Sequence, residues 1–135
     1  MKIVNPPELM APRGFSHAVA SGQTVYLGGT TAHDSSGALP GRSLLAQFDG
    51  ALRNLVVTLT AAGARPEGVV WLQVFVTDVA EYRAITHELG PVWGRHFGRH
   101  YPAMGLFGVT ELADPDAVVE LMGIAVIEDV EALEP

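Results

Sequence analysis

Apolar residues recur at spacings of three and four at Leu45, Phe48, Leu52, Leu55, Val56 and Leu59, which predicts an amphipathic helix. Ser43 is placed to cap its start, and Gly63 with Pro66 beyond it to end it. A second stripe, Tyr82, Ile85, Leu89, Val92, Trp93 and Phe97, predicts another helix, opened by Asp78 with Glu81 three residues on in a capping-box arrangement. Gly90-Pro91 falls inside that stripe and predicts a kink or break there. Between the helices, Val69 to Val76 is rich in β-branched and aromatic residues and reads as a strand.

Upstream, prolines 6, 7 and 12 keep the first dozen residues extended or irregular, with at most a short strand near Ile3 and Val4. Phe15 to Val19 and Thr24 to Leu27 read as two strands around the turn Ala20-Ser21-Gly22-Gln23. The second runs into Gly28-Gly29-Thr30-Thr31, where the glycines permit either a bulge or the close approach of a ligand or another backbone. At the other end, Tyr101 to Val109 and Ala117 to Ile127 flank a polar turn carrying Asp114-Pro115-Asp116, and predict a hairpin.

Each helix connects strands able to lie parallel, so the order of elements predicts an α+β sandwich with both helices on one face of a mixed sheet. The opposite face is then expected to be polar, yet the last strand is apolar on both sides. Val118, Met122, Ile124 and Val126 fall on one, and Val119, Leu121, Ala125 and Ile127 on the other. Two helices cover one face, so the second is expected to be buried between subunits. Within the same strand stands one charge, Glu120, whose burial costs several kcal/mol unless it is paired, hydrated or protonated. Two readings of Glu120 stay open: an ion pair with Arg95 or Arg99, or a general acid or base that holds a water in a ligand site.

Composition narrows the setting. The 135 residues suit a single domain, and 48% apolar against 17% charged agrees with a covered surface. A net charge of −7 argues against nucleic acid or an anionic membrane as partner, and no run approaches spanning length. Without cysteine there is no disulfide, thiolate metal site or cysteine nucleophile. The start lacks a signal-peptide pattern, so a cytoplasmic protein is expected.

Other chemistry is thinly represented. His96 and His100 share a helical spacing, but Gly98 and Pro102 weaken the helix and nothing nearby completes a metal set. His33, Asp34, Ser35 and Ser36 contain the residue types of a triad, but as neighbours in a turn they favour backbone hydrogen bonds. There is no P-loop or dinucleotide fingerprint, and no cofactor is expected.

Several segments together resemble the Rid (YjgF-like) family of reactive-intermediate deaminases over nearly the whole chain. They are Phe15-Ser16-His17-Ala18-Val19, Val25-Tyr26-Leu27-Gly28-Gly29, Leu52-Arg53-Asn54-Leu55 and Val74-Phe75-Val76-Thr77-Asp78, with Tyr101-Pro102-Ala103, Val119-Glu120 and Gly123-Ile124-Ala125-Val126. The resemblance implies a chorismate-mutase-like fold, a homotrimer with an inner barrel, and small-molecule clefts between subunits. It implies hydrolysis of imines or enamines such as 2-aminoacrylate, with a carboxylate matching Glu120 placing the water. Where such proteins carry a substrate-clamping arginine, this chain has Met104, which cannot make the bidentate contact. Gly28 stands for a serine, Thr86 for an asparagine and Phe15 for a tyrosine. A cleft containing Glu120, Phe15, Gly29, Thr30, Thr86, Trp93, Met104 and Phe107 is therefore expected to favour neutral or cationic ligands, unless Arg95 or Arg99 restores an anchor. The rival expectation is a binding or regulatory trimer that lost deaminase activity with the arginine; a structural trimer is a third.

Overall fold

A computed structural model describes residues 1–128. The elements are β1 (Lys2–Val4), β2 (Ala18–Ser21), β3 (Thr24–Thr30), α1 (Leu44–Ala61), β4 (Val69–Val76), α2 (Val79–Ala84), α3 (Thr86–Phe97), β5 (Ala103–Gly108) and β6 (Val119–Val126), with one 3₁₀ turn at Pro66–Gly68 before β4. They form a six-stranded mixed sheet in the order β1-β2-β3-β6-β4-β5. β4 and β5 are parallel and the other pairings antiparallel. This is the expected α+β arrangement.

The C-terminal hairpin does not form. β6 inserts between β3 and β4, and β5 pairs instead with β4 at the sheet edge. Local alternation marks both runs as strands but carries no information on which neighbour completes each ladder. The first expected strand begins three residues late, at Ala18, leaving Phe15 outside the sheet. The helical break lies at Ile85, between α2 and α3, and α3 continues through Pro91. Proline there removes a single bond, to the carbonyl of His87, and both residues are exposed, so that carbonyl can turn to water.

Helix α1 starts where Ser43 Oγ accepts from the Ala46 amide at 3.2 Å. One face buries Phe48, Leu52, Leu55 and Leu59 over β3 and β6, and the helix packs against α3. Its polar core residue Gln47 is fully buried and satisfied. Its amide nitrogen donates to the carbonyls of Gly41 (2.7 Å) and Asp116 (2.9 Å), and its oxygen accepts from the Val118 amide (2.9 Å). Thus α1 holds the chain just before β6.

In β6, Val119, Leu121, Gly123 and Ala125 are buried beneath the helices, while Glu120, Met122 and Ile124 lie on the open face. That face also carries Tyr26, Trp71 and Phe107, each 41–51% exposed. A strand apolar on both sides has produced a sheet with one covered and one uncovered apolar face. No helix is long and apolar enough to cross a membrane among the described residues.

Candidate functional site

Glu120 sits between two neighbours of unlike size. On β4 its partner is Phe75, which stacks on Phe107 of β5 with ring centroids 5.7 Å apart. On the other side, the β3 pairing slips between Leu27 and Thr30, so Gly28 and Gly29 form a bulge. The bulge reading of the glycines holds, and a methyl group on Gly29 would overlap Glu120 Oε2. A Cβ on Gly28 would come within 2.7 Å of the Ser16 carbonyl oxygen, so the close approach of another backbone holds as well. We expect Gly29→Ala to leave folding nearly intact, because the flexible carboxylate can swing aside. Any reaction that depends on the carboxylate position should slow by tenfold or more on the order of 1.4 kcal/mol, checked by comparing melting temperature with turnover.

The space above Glu120 is a cleft of about 650 Å³ whose walls include Met10, Phe15, Gly29, Thr31, His33 and Asp114. Phe15 stands half exposed on one wall, edge-on to His17, whose Nε2 is 2.8 Å from the Met10 carbonyl oxygen. Glu120 accepts no hydrogen bond and forms no salt bridge among the described residues. Burial raises its carboxyl above the ordinary range, and nearby His33 partly offsets the rise. Arg95 lies 3.6 Å from Asp49 of α1 on the helical side of the sheet, so within one chain neither Arg95 nor Arg99 forms the ion pair with Glu120 among the described residues; a pair across an interface is untouched by this.

The remaining expected residues are distributed differently. Thr30 turns away, its hydroxyl donating to the Gly28 carbonyl at 3.0 Å; its side chain reaches only a small adjoining recess. Thr31 takes the place in the cleft expected of Thr30. Met104 pairs with Leu72 and therefore faces the helices, where it joins Thr86, Trp93, Tyr82 and Tyr101 around a second cleft of about 210 Å³ on the β5 edge. Trp93 donates to the His100 carbonyl at 3.1 Å and stacks on Tyr101 at 6.3 Å. Within one chain, the Glu120 cleft and the Met104 cleft are separate, on opposite faces of the sheet. Phe107 lies on the open face but outside the Glu120 cleft.

His33, read in the sequence only as part of a local turn, and Asp114, read only as a turn residue, are joined at the cleft. His33 Nδ1 is 2.5 Å from Thr31 Oγ, and Nε2 is 2.7 Å from Asp114 Oδ2, 81 positions along the chain. The His33 hydrogen bond, helped by the Asp116 amide, holds the Asp114 carboxyl below its usual range. Asn54 of α1 fixes the loop beneath, its amide nitrogen donating to the carbonyls of Thr31 (2.9 Å) and His33 (2.8 Å). The neighbouring Asp34 forms its own turn, accepting from Ser36 and Ala38, as its composition suggested. His96 bonds Asp49 and His100 bonds the Val69 carbonyl, so the two do not converge. No group of three or more metal-ligating side chains converges among the described residues.

A half-buried carboxylate beside a glycine bulge thus lines an open cleft against an α+β sheet. The chain belongs to the YjgF/RidA/UK114 family: the profile described as "Endoribonuclease L-PSP" matches residues 7–127. It is 32% identical over 129 residues to "RutC family protein UK114" of Drosophila melanogaster, covering 94% of this chain and 88% of that one. It is 30% identical to a "2-iminobutanoate/2-iminopropanoate deaminase" of Dermatophagoides farinae, covering 94% and 97% respectively. Among solved structures it resembles RidA from an Antarctic Psychrobacter, with a TM-score of 0.83 and 26% identity over 94% of this chain and all of that one. The Escherichia coli YjgF structure, at 23% identity and a TM-score of 0.84, covering 95% of this chain and 100% of that one, shares the fold.

Proposed function

We propose that this chain hydrolyses an imine, or a related C–N substrate, with Glu120 directing the attacking water. The observation that carries this reading is Glu120 itself: a desolvated carboxylate without a protein partner among the described residues, lining an accessible cleft. The name of the mite relative, an imine deaminase, points to the same reaction class.

The working unit in this reading is a homotrimer. The uncovered apolar face is buried between subunits, and the edge cleft with Thr86, Trp93 and Met104 of one subunit completes the Glu120 cleft of the next. Since neither half presents an arginine or lysine among the described residues, and His33 is held against Asp114, the favoured ligand is neutral or cationic. The open face supports assembly because such a continuous apolar patch is costly in water.

The test is ammonia release from 2-iminopropanoate and from its neutral amide, 2-iminopropanamide, measured above spontaneous hydrolysis. The wild type should accelerate the amide more than the acid. Met104→Arg should reverse that preference by tenfold or more, since a bidentate guanidinium–carboxylate contact exceeds about 1.4 kcal/mol. No acceleration of either compound would favour the specific rival, a binding protein that lost catalysis with the arginine. Light scattering that returns a monomer would remove the trimer from the reading.

A further inference from the structure

The Thr31–His33–Asp114 chain opens on the same cleft as Glu120 but has no part in directing water. We propose that it is a proton relay for the substrate nitrogen, with the Thr31 hydroxyl as the group that touches it; this rests on the hydrolase reading above. The ladder ends with Thr30 opposite Leu121, and Thr31 follows directly after the strand. Thr31 and Glu120 both line the cleft. His33 is largely buried, with its side chain 12% exposed, and both ring nitrogens are engaged, by Thr31 and by Asp114. His33 also lines the cleft, but with both ring nitrogens engaged it exchanges a proton with a ligand through Thr31.

Hydrogen bonds hold the relay from both ends. Asp114 uses Oδ2 for His33 and Oδ1 to accept from the Asp116 amide at 2.8 Å. Asn54 holds the backbone carbonyls of both Thr31 and His33 from the helix beneath. A hydroxyl, an imidazole and an orienting carboxylate in series are also the parts of an activated nucleophile. Here the Glu120 charge across the cleft opposes the oxyanion that acyl transfer would build, so the arrangement suits proton transfer instead.

The steps balance. With His33 as the imidazolium held against Asp114, Glu120 takes one proton from water and the hydroxide adds to the imine carbon. The C=N π pair moves to nitrogen, which takes the Thr31 hydroxyl proton as His33 Nδ1–H replaces it. In the collapse, Glu120 returns its proton to nitrogen and the C–N bond breaks. The carbinol proton passes through Thr31 to His33 as the C=O bond forms. One imine and one water become one carbonyl compound and one ammonia, and every protein group regains its starting state.

The test uses the full-length protein and 2-iminopropanamide, with melting curves to confirm folding. Thr31→Val, which removes the hydroxyl and keeps the shape, should lower kcat by about 10²-fold, whereas Thr31→Ser should stay within about threefold of wild type. Thr31→Val combined with His33→Gln should be no slower than the slower single variant, since the residues act in series. The groups that bear on His33 are Asp114, Glu120 and Thr31, with uncharged Asn54 behind. In the pH–rate profile the acidic limb of Glu120 should remain in the residual activity of both Thr31→Val and His33→Gln. An active wild type whose Thr31→Val variant keeps its rate overturns the relay alone. An inactive wild type overturns the hydrolase reading, and the relay's catalytic role with it.

Discussion

Replacing Glu120 by glutamine should lower imine hydrolysis by about 10²–10⁴-fold, the usual worth of a positioned acid–base group, while the protein melts at the same temperature or higher. The two effects have one cause. Burial raises the Glu120 carboxyl above its ordinary value, so between the unfolded and folded values the native state binds more protons than the unfolded chain. Stability therefore falls as pH rises through that window, and above it the ionised carboxylate is a standing penalty. Glutamine removes the penalty together with the base. Because Glu120 is only half buried, the gain in stability should be small. Melting curves on both sides of the window and pH–rate profiles check both halves. The acidic limb of the wild type should lie above the ordinary carboxylate value of 4.5. In the residual activity of His33→Gln it should lie higher still, because a charge that favours the ionised carboxylate is gone. A glutamine variant as fast as wild type would take Glu120 out of the chemistry.

The largest loss of stability is expected at a residue away from the cleft. Gln47→Leu keeps the volume of a fully buried side chain but leaves the Val118 amide and the carbonyls of Gly41 and Asp116 without their partner. At about 1–3 kcal/mol for each buried polar group left unpaired, with partial relaxation of the more exposed carbonyls, the cost is about 3–5 kcal/mol. A chain of this size should then lose roughly 10–20 °C in Tm. The same contacts anchor the loop that carries Asp114, so turnover at temperatures well below the melt should also decline. Gln47→Glu should cost at least as much as leucine, because it keeps an acceptor for Val118 but sets a buried carboxyl oxygen against the carbonyl oxygens of Gly41 and Asp116. A leucine variant within about 1 kcal/mol of wild type would mean the loop finds other partners.

The residues that revealed the fold early were those whose pattern is local. The three-and-four spacing from Leu45 to Leu59 became α1, with Ser43 as its cap. The β-branched run from Val69 became β4 without a change of boundary. Two-sided apolarity in the last strand correctly anticipated a second apolar face, now seen at Tyr26, Trp71 and Met122. A lone carboxylate in that strand was a sound pointer to the cleft, because a charge among apolar neighbours stands out before any contact is known. Gly28-Gly29 was legible as a special backbone but not as the floor under Glu120.

What sequence alone determined, then, was the element order, the side of each strand that is apolar, the family resemblance and the oddity of Glu120. All of these depend on spacing within a segment or on residues taken one at a time. Tertiary structure decided which segments meet. Strand β6 chose β3 and β4 over its neighbour in sequence, because a ladder is satisfied by any strand with the right register and the burial decides among them. Met104 went to the helix-facing edge because its pairing with Leu72 fixes its side of the sheet. His33 found Asp114 across 81 positions through a loop held by Gln47 and Asn54. No local periodicity encodes such a meeting, since both residues lie in turns where side-chain direction is set by the packing beneath them.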